Sequence, residues 1–177
     1  MSEVEKFEPP QHGHGPQDLP PPSRALEHLK AKLAAAPIAK AGSRKLEKLL
    51  RKALESFKAE NYALCVEHAL AALDLDSEHS QANHVMAVGL ERLGELHKSI
   101  QFYERALARD PSDHEIYFNL GLLAWRLKMH EQAERLFRIY VGKEPNKAEG
   151  YNNLGGVLRD EGKFDSSIEI LRGAIYR

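Results

Sequence analysis

Residues 117–125 read YFNLGLLAW and residues 151–159 read YNNLGGVLR. Tyr117, Asn119, Leu120 and Gly121 recur as Tyr151, Asn153, Leu154 and Gly155, a shift of 34 positions (151 minus 117), and the same shift carries Pro111 onto Pro145. Self-similarity at a period of this length marks stacked helical hairpins, since a lone hairpin leaves its apolar face in water until a neighbour covers it. Each recurring residue has a job. Gly121 lets the first helix of a hairpin (helix A) lie close to the second (helix B), and Ala133 is small for the same reason on helix B. Phe137 fills the space between hairpins. Pro145 has no amide proton and cannot continue a helix, so it ends the unit.

The best copy, residues 114–147, carries Tyr117, Leu120, Gly121, Ala124, Ala133, Phe137, Tyr140 and Pro145. Copies at 80–113 (Met86, Leu90, Ser99, Tyr103, Ala106, Pro111) and 148–177 (Tyr151, Leu154, Gly155, Leu158, Ser167, Leu171, Ala174) follow from the same count. The copy at 46–79 diverges most: it keeps Leu49, Ala53, Cys65, Ala69 and Ala72, while Lys52 and Ser77 take the Leu and Pro places. This pattern resembles the tetratricopeptide repeat. The resemblance implies an all-α, right-handed α-solenoid of about four hairpins over residues 43–177, with helices A lining a concave groove. Gly94 and Gly162 fall at the turns between helices A and B, and Lys128 takes that place in the third copy.

Two further stretches precede the solenoid. Residues 1–22 hold six of the nine prolines and almost no aliphatic side chains, so they are expected to be a disordered tail. Residues 23–42 read as a short amphipathic helix and linker. Ser23 is a candidate N-cap, Leu26, Leu29 and Leu33 recur at helical spacing up to Pro37, and Ser43 is placed to cap the next helix. The expected role of this helix is to cap the open face of the first repeat.

Composition narrows the function. Charged residues make up 29% of the chain yet sum to −1, and Lys and Arg alternate with Glu and Asp along the helices, so no basic footprint for nucleic acid is present. No apolar run reaches the roughly 20 residues a membrane span requires, and the N-terminus MSEVEKFEPP has no apolar signal region, so a cytoplasmic location without membrane attachment is expected. Cys65, the single cysteine, sits where the repeat wants a small residue and reads as a buried, inert thiol. There is no glycine-rich phosphate loop, HExxH, GxSxG or paired cysteine, and of the nine histidines His68 and His97 fall on outer helices, His79 and His114 at hairpin junctions and His130 near a turn. His12 and His14 in the tail lack a third ligand. The expectation is a non-enzyme with no cofactor and no metal.

Counting along each helix A gives the groove-facing residues: Leu50, Leu54 and Phe57; His84, Val88 and Glu91; Phe118, Asn119, Leu122 and Trp125; Asn152, Asn153 and Arg159. Asn119 and Asn153 share one repeat position, and an asparagine amide both donates to and accepts from a peptide bond. Their recurrence resembles the asparagine ladder in the repeats of O-GlcNAc transferase, with Arg51 and Val85 departing from it. The Lys and Asn clamp by which some repeat proteins hold chaperone tails is missing, since Leu50, Leu54, Val85, Glu115 and Asn119 stand at those positions. The resemblance therefore implies a non-catalytic adaptor or scaffold that binds an extended segment of another protein. Asn119 and Asn153 would hold its backbone, with Phe118, Leu122, Trp125, Asn152, His84 and Arg159 around them. The alternatives are a substrate-recruiting arm of a larger enzyme, such as a glycosyltransferase, and a self-assembling scaffold. Self-association through the C-terminal end is a further expectation, because Ile168, Leu171 and Ile175 form a stripe where the sequence stops inside a helix B.

Overall fold

The computed structural model describes residues 27–32 and 41–175, and all regular structure among them is helical. Helix α1 (27–32) is a short turn. The hairpins follow: α2 (Ala41–Lys58) with α3 (Tyr62–Leu73), α4 (Ser80–Arg92) with α5 (Leu96–Arg109), α6 (His114–Arg126) with α7 (His130–Lys143), and α8 (Ala148–Asp160) with α9 (Phe164–Ile175). Each helix packs on the next in the chain, and α2 meets α4 as α6 meets α8, so the helices A stack as one layer and the helices B as another. This is an α-solenoid.

The hairpin turns obey the period. Glu60, Gly94, Lys128 and Gly162 all take positive φ, at 58°, 83°, 61° and 76°. Each is followed by an amide that reaches back to close the helix end: Asn61 N to Ser56 O, Glu95 N to Leu90 O, Met129 N to Ala124 O and Lys163 N to Leu158 O. This six-to-one bond satisfies a carbonyl that a helix end otherwise leaves unpaired. Two of the four sites use glycine; Glu60 and Lys128 accept the left-handed conformation at a steric cost.

Small residues set the spacing within hairpins. Cys65, Ser99, Ala133 and Ser167 occupy one position of helix B, all buried. Ser99 Oγ donates to Ala87 O and Ser167 Oγ to Gly155 O, both at 2.8 Å, tying helix B to helix A within the second and fourth hairpins. A Cβ on Gly121 would lie 2.9 Å from the Phe137 ring, and one on Gly155 2.8 Å from Leu171. The tight approach read from the sequence is therefore a contact between helix A backbone and a large helix B side chain. Burial pushes the Cys65 thiol up to about 12, which keeps it protonated and unreactive.

Two sequence expectations shift. α2 already begins at Ala41, so Ser43 lies inside the helix and not at its start. Helix α1 makes its long-range polar contacts with the second repeat, up to its junction with the third, where the reading placed it over the first. Gln81 Nε2 donates to Leu29 O at 2.9 Å, and Lys32 Nζ lies 2.5 Å from Asp110 Oδ2 and 2.8 Å from Asp113 Oδ2. The carboxylates at the α5–α6 turn draw the Lys32 ammonium of α1 there, and Leu29 is buried in the core. The prolines of 1–22, Leu26 and Leu33 lie outside the described residues.

Candidate functional site

Equivalent positions of successive helices A differ in what they face. His84, Phe118 and Asn152 are one repeat position: His84 and Phe118 are buried, Asn152 is exposed. Val85, Asn119 and Asn153 are the next, and only Asn153 meets solvent appreciably. Glu91, Trp125 and Arg159 share a third, again open only at Arg159. Leu122 is half-buried, and Leu50, Leu54, Phe57 and Val88 belong to the core. Of the expected groove residues, Asn152, Asn153, Arg159 and part of Leu122 are therefore reachable in this conformation. His84, Phe118, Asn119 and Trp125 are not.

Trp125 is a structural joint. It is 1% exposed, its indole Nε1 donates to Asp160 Oδ2 at 2.8 Å, and its ring lies so close to α8 that a Cβ on Gly156 would come within 2.4 Å. Phe118 packs on Tyr140 (centroids 4.9 Å apart) and edge-on to Phe137 at 6.0 Å. Glu91 receives the Tyr103 hydroxyl at 3.0 Å, with Arg126 3.7 Å away. Burial pushes its carboxyl above the ordinary range, against the pull of Tyr103 and Arg126. Counting residues on a helix finds the side away from helix B; it does not tell which part of that side the next hairpin covers.

The groove side of α4 and the start of α6 is occupied by α1, and Asp113 stands at its centre. The Asp113 carboxylate is almost fully buried. Its Oδ1 lies 2.8 Å from His28 Nε2, and its Oδ2 lies 2.8 Å from Lys32 Nζ and 3.6 Å from His84 Nδ1. Burial alone would push the Asp113 carboxyl up, but His28, His84 and Lys32 outweigh it and hold it well below the carboxylate range. Burial lowers the His84 imidazole. For Lys32, the pull of Asp110 and Asp113 exceeds the burial penalty and leaves the ammonium above its ordinary value. The His28 ring sits 6.0 Å from both the His84 and His114 rings, and the Asn119 amide Nδ2 lies 3.4 Å from His84 Nε2. The sequence signal for this cluster was thin, because its members come from three separate helical segments.

A Ser–His pair also escaped the sequence search. Ser56 Oγ lies 3.2 Å from His68 Nδ1, but it also reaches Lys52 O at 2.8 Å, the usual back-bond of a mid-helix serine. Among the described residues no carboxylate pairs with His68, and the pair has the geometry of a helix contact.

Models of the tetratricopeptide repeat match residues 50–114, 84–148 and 118–177. The chain belongs to the tetratricopeptide repeat family. It is 34% identical over 128 residues to the protein FlbA of Caulobacter vibrioides, a match covering 72% of this chain and 22% of FlbA. The chain thus spans about a fifth of that relative. A solved structure of MamA superposes with a TM-score of 0.72 at 19% identity, covering 88% of this chain and 87% of MamA. The first tetratricopeptide domain of Spaghetti (RPAP3), bound to an HSP90 peptide, gives 0.65 at 22% identity, covering 68% of this chain and 95% of that domain. At these identities the two structures establish the tetratricopeptide fold alone. Among the described residues no helix is long and apolar enough to cross a membrane.

Proposed function

We propose that this tetratricopeptide array is a non-catalytic adaptor whose concave face binds an extended segment of another protein, with the open part of the groove at repeats three and four as the binding stretch. The observation that supports this reading is α1 itself, a chain segment seated against the groove side of α4 and α6 through one backbone carbonyl, one leucine, one histidine and one lysine. A face that accepts a segment in cis has the shape and polarity to accept one in trans. Past α1 the groove offers Leu122 as apolar floor, the amides of Asn152 and Asn153, and the Arg159 guanidinium, a set able to hold a backbone and an acidic side chain.

The test places a photocrosslinking residue at Asn152 and, separately, at Glu131 on helix B, then maps the crosslinked partner by mass spectrometry. The expected result is one discrete partner segment from Asn152 and none from Glu131. With that segment as a peptide, Asn153→Ala is expected to weaken binding by the worth of one neutral hydrogen bond, about 0.5–1.5 kcal/mol, or roughly twofold to tenfold. Equal crosslinking from both faces, or unchanged affinity in Asn153→Ala with Arg159→Ala, overturns the reading.

A further inference from the structure

His28, His84 and Asp113 each present one ligand atom, and these atoms lie within 4.8 Å of one another. Three observations say the cluster is not an ordinary hydrogen-bonded one. His84 is fully buried, and its Nδ1, aimed at Asp113, has no hydrogen-bond partner. His28 Nε2 and Asp113 Oδ1 are 2.8 Å apart, yet neither makes a hydrogen bond in line with the other. Asn119 Oδ1 is also buried and unpartnered, next to an amide nitrogen placed beside His84 Nε2.

A metal ion accounts for all three. Two ligand bonds of about 2.05 Å spanning that separation meet near a right angle, so each lone pair points roughly 45° off the line joining the donors, which is why no in-line hydrogen bond forms. If His84 ligates through Nδ1, its Nε2 carries the proton and needs an acceptor. Turning the Asn119 amide by half a turn, an assignment that rests on hydrogen bonding alone, puts Oδ1 there and gives the His84 Nε2 proton its acceptor. Lys32 does not compete, because it approaches Oδ2 and shares itself with Asp110, leaving Oδ1 to the ion and neutralising the outer side of the carboxylate. Two imidazoles and one carboxylate suit a divalent first-row transition ion of Zn(II) character, and the partly exposed His28 leaves room for water as a fourth ligand.

We propose that His28, His84 and Asp113 form a Zn(II)-class metal site that fastens α1 to the second repeat at its junction with the third. The inference stands apart from the peptide-binding reading, since the ion's ligands lie under α1 and not in the open groove. Because one ligand comes from α1 and two from the solenoid, the ion can bind only while α1 is docked, and it stabilises that arrangement by mass action.

The test is Zn(II) titrated calorimetrically into the full chain carrying His12→Ala and His14→Ala, which removes the tail histidines as competing donors. One ion per chain is expected at micromolar zinc, with hydrogen exchange of residues 27–32 slowed when zinc is added. His28→Ala, which leaves every solenoid residue in place, is expected to weaken binding by about tenfold or more, and Asp113→Asn by at least as much. Co(II) in place of Zn(II) should give a ligand-field absorption band that His28→Ala abolishes. Absence of binding, or zinc affinity unchanged by His28→Ala, overturns the proposal.

Discussion

The second and fourth repeats are built on one pattern and present opposite surfaces. Every residue of α4 from Ala82 to Glu91 is buried, including Asn83, His84 and Glu91. In α8 only Gly150, Tyr151, Leu154, Gly155, Val157 and Leu158 are, a one-sided stripe. The difference comes from neighbours and not from propensity. α4 is enclosed by α3, α5 and α2, with α1 over its groove side, while α8 has α7, α9 and α6 and keeps its groove side open. Polar residues with the same repeat address thus have different surroundings: on α4 they are locked into a charged internal network, and on α8 Asn152, Asn153 and Arg159 meet solvent.

The sharpest way to break this contrast is at the joint between repeats three and four. Trp125→Ala removes a buried indole, its hydrogen bond to Asp160 and the packing against Gly156, and is expected to cost about 3–5 kcal/mol by denaturant unfolding. Unfolding midpoints unchanged by this substitution would return Trp125 to the groove as a binding residue.

Asn119→Ala and Asn153→Ala compare the two surfaces directly. The first empties a buried site beside His84 and is expected to lower stability by about 1–2 kcal/mol. The second alters a solvent-facing position and should stay within about 0.5 kcal/mol. Equal effects in thermal melts would mean that the two grooves are not covered differently.

A smaller effect of opposite sign belongs to the turns. Lys128→Gly relieves a side chain held at φ 61°, and about 1 kcal/mol of stabilisation is expected once the added chain entropy of glycine is offset. The same change at Gly94's equivalent in the first repeat, Glu60→Gly, should behave alike.

The smallest concerns acid. Lys163 on the α8–α9 turn, then Arg138, hold the Glu134 carboxyl on α7 down at about 2 against burial that would raise it. A depressed carboxyl contributes stability above its unfolded value and loses it as pH falls through the folded one. The contribution is therefore whole above about pH 4.5 and gone near pH 2. Lys163→Ala should flatten the stability-versus-pH curve in that window, leaving the variant less stable than the parent at neutral pH, by an amount that salt reduces, and equal to it near pH 2.

The architecture was legible because its signals are local and repeated. Pro111 and Pro145 end units, Gly94 and Gly162 mark turns, and Leu120 with Leu154 sets the apolar stripe. The turns at Glu60 and Lys128 show that even positions with unfavourable residues obey the period once the neighbouring turns fix it. The site was only partly legible. Helical counting brought out Asn152, Asn153 and Arg159, which meet solvent, but gave Trp125 and Phe118 the same standing although the next helices bury them. Nothing in the spacing of His28, His84 and Asp113 signals their meeting, because it depends on where α1 lands. That landing follows from charge at the α5–α6 turn, where the apolar stripe of α1 alone pointed to the first repeat.

The identical backbone at Glu60, Gly94, Lys128 and Gly162 makes each hairpin an interchangeable cartridge. Cutting out residues 95–128 would splice Gly94 to Met129 with the same left-handed residue and the same closing bond on either side of the seam. Array length can therefore change by whole units through recombination without new junction chemistry having to evolve. What such a deletion cannot keep is Asp113, the one residue to which α1 is anchored by both His28 and Lys32. Growth or shrinkage past residue 128 would leave Gln81, His84 and Asp113 in place, so the number of later repeats and the docking of the N-terminal segment are free to vary independently.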